Sequence, residues 1–414
     1  MSEPEPNPSI DPRKASRVVF FVFVTVFLDL VGFGIVAPLM PFYVEGMGGS
    51  AQTVGLLFGC FSAAQLIATP YLGKLSDRVG RRPVILVSLA GNAAAMVLFA
   101  FATKVNLLPL LFASRILAGA TAGNLSACQA AIADSTTEAD RAAGMGKLGA
   151  GIGLGIMLGP VIGGQLSHLG PWAPPLGAAA LALADLTGAV LFMPETRRPK
   201  REPSLALAQT APLTLRQILK QRSLRAILAL YFLTFLAMTN LQVALAYLVK
   251  SRLSWGEGEV SNIFGLVGLL GLIIQGALIG RLTRAFGQLP LLITGSFFLS
   301  CGMALIALAH GPLMLLGGVA SIGAGLGLTN PLLSALASEL SGAEQRGAVL
   351  GYAQSSGGLA RTVGPVWSGF LSDHVALGAP FFGGAIAAAI SVLIGLLLRS
   401  ARDRSPAPAP EPSP

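Results

Sequence analysis

Apolar runs of about twenty positions alternate with short polar breaks along the whole chain. A helix rises about 1.5 Å per residue and a bilayer's hydrocarbon core is about 30 Å thick, so a run of about 20 residues crosses it once. Twelve such runs can be marked, at residues 18–40, 53–72, 83–102, 107–133, 144–166, 172–193, 226–249, 260–280, 290–309, 312–337, 347–371 and 380–398. The pattern predicts an all-α membrane protein with twelve transmembrane helices. The first run is too long for a signal-peptide core and lacks a small-residue cleavage site, so it is expected to stay as helix 1.

Composition narrows the class. Of 414 residues, 53% are hydrophobic and 11% charged, with mean hydropathy +0.70, whereas soluble chains carry about a quarter charged residues. A soluble enzyme and a disordered chain are excluded. The net charge of +9 sits in short clusters between apolar runs, so it marks topology and no nucleic-acid partner. Assigning alternate loops to one side gathers Arg13, Lys14, Arg17, the cations of 74–82, Arg141, Lys147, those of 197–225, Arg281, Arg284, Arg346 and those of 399–404 there. Lys104, Lys250 and Arg252 fall on the other side, and Arg115 and Arg361 inside runs. Lys and Arg collect in cytoplasmic loops. The chain is therefore expected to be a multi-pass protein of a bacterial-type inner membrane, in contact with lipid, with both termini cytoplasmic. Cys60, Cys128 and Cys301 lie in apolar runs and read as small buried hydrophobes, not as a disulfide framework.

The polar stretch 194–225 divides the chain into bundles 18–193 and 226–398, with tails 1–17 and 399–414 expected to be disordered. Gly73-Lys-Leu-Ser-Asp-Arg-Val-Gly80-Arg-Arg-Pro83 recurs as Gly280-Arg-Leu-Thr-Arg-Ala-Phe-Gly287-Gln-Leu-Pro290, and Gly159-Pro160-Val161 recurs as Gly364-Pro365-Val366. Parallel duplication of two six-helix halves is the arrangement of a large transporter class whose substrate site lies between the halves near the midplane.

The turn between helices 2 and 3 carries Gly73, Asp77, Arg78, Gly80 and Arg81. Glycine allows a tight turn, Asp77 can cap a helix and arginine can clasp acids on neighbouring helices. The spacing resembles the signature motif of the major facilitator superfamily. Helix 4 reads Leu111-x-x-x-Arg115-x-x-Ala118-Gly119, similar to a second motif of that family with Ala118 in place of its polar residue. In helix 5, Gly155, Gly159, Pro160, Gly163 and Gly164 match the motif of its drug:proton antiporters. Leu28-Asp29 followed by Gly32-Phe-Gly34 and Pro38-Leu-Met-Pro41 is similar to the twelve-helix tetracycline-efflux and multidrug branch. The resemblance implies two bundles related by a pseudo-two-fold axis, a monomer, and proton-coupled antiport of a small molecule by alternating access, without cofactor. It also implies that Asp77, Arg81 and Asp134 form a cytoplasmic latch in the outward-open state; Arg284 and Gln288 replace Asp77 and Arg81 in the second repeat. By itself the helix 5 motif reads either as a packing groove or as a seal between halves, since small residues let helices approach and Pro160 can bend one.

Charges inside the membrane cost several kcal/mol unless paired or hydrated. Counted at about 1.5 Å per residue, Asp29 lies about 16 Å from the cytoplasmic edge, Arg115 about 18 Å and Arg361 about 20 Å. Asp29 and Arg115 can therefore alternate between an ion pair and a protonated acid, which is one way to exchange a proton for cargo; a helix-locking salt bridge is the other reading. Arg361 either holds an anionic or zwitterionic cargo, or bonds backbone carbonyls or a carboxylate of the other half. Asp185 divides between coupling and structure. Asn124, Gln129, Gln165, Asn240, Gln242, Gln275, Asn330 and Gln354 at midplane depth, with Phe33, Met157, Phe235, Met238 and Phe264, are the expected lining of an amphipathic cavity.

The acids in helices 3 and 9 and the histidine in helix 8 that the resemblance would imply are missing from 91–96, 295–300 and 270–272, which argues against a metal-bound tetracycline as cargo. No catalytic cluster or metal-ligand spacing suggests an enzyme, and no nucleotide-binding Gly-rich Lys motif suggests ATP. The expected function is proton-coupled efflux of amphipathic compounds, with a symporter or uniporter for a metabolite or organic anion as the alternative.

Overall fold

The computed structural model describes residues 12–196, 215–341 and 345–403, and among these the chain is helix and turn. The long helices are α1 (Ala15–Gly46), α2 (Ala51–Val79), α3 (Arg81–Val105), α4 (Leu108–Ser135), α5 (Glu138–Ser167), α6 (Ala173–Phe192), α7 (Arg222–Leu253), α8 (Glu257–Phe286), α9 (Gln288–Leu308), α10 (Pro312–Glu339), α11 (Arg346–His374) and α12 (Ala379–Asp403). Eleven of these are long and apolar enough to cross a membrane. The remaining one, α11, has 29 residues but carries Gln354, Arg361, Thr362 and Asp373, and lies between α2 and α7 instead of facing outward.

Several helices run past the predicted apolar runs, because backbone hydrogen bonding continues where side chains turn polar. Residues 12–17 and 399–403, expected in disordered tails, are helical continuations of α1 and α12. The expected linker 194–225 is likewise shortened by the helix Leu215–Lys220 and by the start of α7; 197–214 and the rest of both tails lie outside the described residues. Three spans are interrupted. In α1, Pro38 and Pro41 accompany a 3₁₀ turn Ala37–Leu39. In α4 the helix breaks at Ala122 and Gly123, so a second segment begins at Asn124. In α8, residues Ile274–Leu278 form a π-turn. The duplication is visible in the backbone: Gly80 and Gly287, equivalent in the repeat, end α2 and α8 with φ of 113° and 80°, a region that favours glycine.

Helices α1–α6 and α7–α12 form two bundles, each with an apolar core of its own, one including Val22, Val26, Ile85 and Ile132, the other Leu230, Leu292, Leu332 and Leu336, while a further cluster joins Val243 of α7 to the first bundle. We call the end carrying Lys74, Arg81, Lys147, Arg281 and Arg346 the basic face and its opposite the far face. The bundles meet through α2 with α11 and α5 with α8. Both contacts run from the far face to mid-depth and stop. Along α5 and α8 they include Gly164 on Ser261, Gly268 on Met157 and Gly153 on Leu272; further on, a Cβ added at Gly149, Gly276 or Gly280 would meet nothing within 4 Å. Along α2 and α11 they run from Ala51 on Gly369 to Leu66 on Gly358, while Gly351 and Gly347 are equally open. The bundles are joined at the far face and apart at the basic face.

Candidate functional site

A cavity of about 300 Å³ lies where the two bundles meet. The first bundle supplies Asp29, Phe33, Phe61, Gln65, Asn92, Arg115 and Asn124; the second supplies Phe235, Met238, Thr239, Gln242 and Arg361. An apolar wall with a few convergent polar groups is the composition of a small-molecule site.

Asp29 is held by two neutral amides. Asn92 Nδ2 donates to its Oδ1 at 2.8 Å and Asn124 Nδ2 to its Oδ2 at 3.0 Å. The break in α4 makes Asn124 the first residue of the second helical segment, where its side chain reaches α1. Such interrupted helices at mid-membrane are tolerated where they line a cavity. Arg115 shares the cavity and is 4% exposed. It forms no salt bridge with Asp29: its guanidinium lies 4.7 Å from the Phe99 ring centroid and contacts Ser114 Oγ at 3.4 Å and Met96 Sδ at 3.7 Å. The pair expected from depth alone is not formed in this conformation: Arg115 turns to Phe99, Ser114 and Met96, and Asp29 accepts from Asn92 and Asn124 instead. Arg361 faces the cavity, its guanidinium 4.5 Å from the Phe235 centroid, not backbone carbonyls or a carboxylate as the alternative reading had it. Among the described residues the site brings one carboxyl and two guanidiniums together without an ion pair.

Asp185 is 5% exposed and lies outside this cavity, with Thr25 Oγ1 donating to it at 3.0 Å. The other cavity candidates divide. Asn124, Gln242, Phe33, Phe235 and Met238 line it. Asn240 is buried and donates to the Leu236 and Ala237 carbonyls of its own helix, Met157 packs on Gly268, and Phe264 packs on the core of the second bundle. Gln129, Gln275 and Gln354 are exposed and are not among the residues that line it, Gln165 lies in a far-face cleft, and Asn330 is half-buried and does not line it. Gln129 and Gln354 share helix faces with the lining residues Ala122, Leu125 and Arg361 but lie further toward the basic face. Gln65, Ser88 and Thr239 were missed, and Asn92 went unrecognised as a ligand of Asp29, although Gln65 and Asn92 are also polar residues at midplane depth.

At the basic face, Arg81 binds Asp77 at 2.6 Å and Asp134 at 2.8 Å. All three belong to the first bundle, and they are joined while the bundles stand apart at that face, so this cluster does not cross between halves here. Gly73 has open space around it and Arg78 is exposed. Sequence reading overlooked Glu195, whose carboxylate accepts from the backbone N–H groups of Arg81 at 2.9 Å and Arg82 at 3.2 Å. It caps α3 and tethers the start of the inter-bundle linker to the α2–α3 turn.

The helix 5 glycines form a close crossing. A Cβ at Gly155 would lie 2.6 Å from Leu30 Cβ, and one at Gly159 2.6 Å from the Val31 carbonyl oxygen. Gly163 faces Ile35, and Pro160 lies against Gly34. These residues pack on α1, while Gly164 alone of the set meets the other bundle, at Ser261.

The family model described as Major Facilitator Superfamily matches residues 22–237 and again 227–414. Major facilitator superfamily domain-containing protein 10 of Bos taurus is 33% identical over 418 residues, 87% of this chain and 89% of that protein. Tetracycline resistance protein, class C, of Escherichia coli is 31% identical over 364 residues, 85% of this chain and 89% of that protein. Among solved structures, the human organic anion transporter MFSD10 (TETRAN) is similar with a TM-score of 0.70 at 26% identity, covering 92% of this chain and 99% of that one. Twelve helices in two duplicated bundles around a shared cavity, with a family match over nearly the whole length, lead to one conclusion: this chain belongs to the major facilitator superfamily and is a membrane transporter, not an enzyme.

Proposed function

We propose that the protein is a proton-coupled antiporter that exports amphipathic small molecules by alternating access, with the basic face in the cytoplasm. On this reading the conformation described is the inward-facing one. The observation that carries the proposal is Asp29: a carboxyl in the inter-bundle cavity, held by two amides and by no cation. Amide donors support the ionised form without neutralising it, so the group can bind and release a proton as its surroundings change. A cargo that places a cation or a hydrogen-bond donor beside Asp29 favours the ionised carboxylate. Proton release and cargo binding are then linked, and the reverse exchange on the other side completes antiport. Rocking of the bundles about the cavity would carry either occupant across.

A second reading has its own support. Arg115 and Arg361 give the cavity two cations against one carboxyl, and MFSD10, a relative, is described as an organic anion transporter. An anion seated on the guanidiniums would favour the protonated form of Asp29, so anion and proton would travel together. The two readings differ in sign. Purified protein in liposomes with a trapped pH dye is given cationic, neutral and anionic amphiphiles in turn. Antiport acidifies the compartment that the cargo leaves, whereas anion symport acidifies the one it enters. Proton movement with neither sign, while labelled compounds still cross, would overturn both in favour of uniport.

A further inference from the structure

The first bundle contains a second buried carboxyl that the cavity does not use. Asp185 lies on α6 against α1, 5% exposed, and Thr25 Oγ1 donates to its Oδ1. Its Oδ2 is buried with no hydrogen-bond partner. The surrounding level of the bundle is apolar, with Val22, Val26, Cys128 and Ala189 in one buried cluster. The titratable groups in electrostatic range are Asp29 and Cys128. Neither α3 between Arg82 and Lys104 nor α5 between Lys147 and His168 carries one. An ionised carboxylate with one hydroxyl donor and no cation costs several kcal/mol in such a place. A neutral acid does not incur that cost. Holding α6 to α1 needs only the bond to Thr25, which an asparagine or serine would make without an ionisable group.

Thr25 also stands one helical turn before Asp29 on α1, so the two side chains share a face of that helix. Asp185 is therefore one residue removed from the cavity carboxyl, on the side toward the basic face.

We propose that Asp185 is a second proton-binding site of the transport cycle, outside the cargo cavity and coupled to Asp29 across Thr25. This rests on the reading that the transporter is proton-coupled. At low pH both carboxyls hold a proton; once Asp29 has released its own, the proton at Asp185 passes to the ionised carboxylate at Asp29, leaving Asp185 ionised and Asp29 neutral, and Asp185 is reprotonated in the other half of the cycle. The pair keeps its total charge in the exchange, and two carboxyls this close titrate as a coupled unit. Bound at Asp185, the proton is kept away from the cargo site.

The test needs no identified cargo. Purified full-length protein is stepped from about pH 6 to about pH 8, above the range near 4 in which exposed carboxyls titrate. Infrared difference spectra then report the carbonyl stretch of carboxylic acids that lose a proton, and an indicator dye counts protons released. The wild type should lose two such bands and release about two carboxyl protons, and D185N and D29N should each lose a different one of the two. T25V keeps both carboxyls but removes the hydroxyl donor, so it should shift the frequency of the band that D185N deletes; this also serves if D185N does not fold. A D185N spectrum identical to wild type, or a T25V spectrum without a shifted band, would overturn the second site and leave Asp185 as a structural contact. A D29N spectrum identical to wild type would instead count against Asp29 as the coupling group, which separates the two failures.

Discussion

Gly268 lies where α8 crosses α5 from the other bundle, in the half of the contact toward mid-depth. A Cβ built on it would stand 2.7 Å from Met157 Cα, 3.0 Å from Met157 N and 3.2 Å from Ile156 C. All three are backbone atoms, so no rotamer can yield, and ordinary contact begins near 3.4 Å. In Gly268→Ala the two helices must part by several tenths of an ångström, an overpacking that costs about 1–3 kcal/mol. The cost falls on the conformation closed at the far face, because it is there that the helices touch. An equilibrium displaced by that amount moves about 5- to 150-fold. Gly276→Ala is the control on the same helix: a Cβ there meets nothing within 4 Å, and alanine is the better helix former by about 1 kcal/mol. The assay uses a chain freed of Cys60, Cys128 and Cys301 with one cysteine placed at Ser62, which lines the cavity. An impermeant thiol reagent is supplied from the far face only. Labelling should rise at least about five-fold in Gly268→Ala and stay at the parent rate in Gly276→Ala. Equal rates in the two would refute the argument that backbone-close packing of α5 and α8 seals the far face.

Other residues make separate claims. Glu45 and Lys250 pair across the bundles at 2.7 Å with both side chains over two-fifths exposed, so Glu45→Gln should open the far face only slightly, by at most about 1 kcal/mol, in the same labelling assay. Asp373→Asn should do more, about 1.5–3 kcal/mol, because that carboxylate of α11 accepts from the N–H groups of Ala51 at 3.2 Å and Gln52 at 2.8 Å at the start of α2. Arg361→Gln removes a guanidinium that faces the cavity; it should weaken binding of an anionic amphiphile by about ten-fold or more, measured by calorimetry, and leave a neutral one unchanged. Glu195→Gln keeps the size of the α3 cap but loses its charge and one of its two backbone acceptors, and should lower thermal stability in detergent by about 0.5–2 kcal/mol without changing cavity labelling.

The architecture was legible because a bilayer imposes a length and the duplication repeats a grammar. Gly80 and Gly287 illustrate it: a glycine at the same place in both repeats turned out to end a helix with positive φ each time. Depth was legible too, since rise per residue is fixed, and Asp29, Arg115 and Arg361 do converge on one cavity. Direction around a helix was not. Where a helix is apolar on all sides, periodicity no longer marks the buried face, so Asn240, at suitable depth, is buried against its own helix while Gln65 lines the cavity. The partners of Asp29 were hidden for another reason. Asn124 reaches it because α4 breaks at Ala122 and Gly123, and a break sustained by the packing around it leaves only a weak local trace, here two glycines at 119 and 123. Glu195 was read as part of a linker, since a capping contact across 114 positions of sequence has no local signal.

In the proposed cycle Asp29 is the group that couples protons to cargo. The most direct measurement compares wild type and Asp29→Asn in liposomes, first as exchange of labelled cargo for unlabelled cargo without a gradient, then as uptake driven by an imposed pH gradient. Asparagine preserves size and one of the two amide bonds, the other requiring Asn92 or Asn124 to turn its carbonyl oxygen toward the new Nδ2, while removing the titration. The account predicts that exchange persists in Asp29→Asn and that gradient-driven accumulation falls to background. Accumulation at the wild-type level in Asp29→Asn would contradict it and move the coupling to another group.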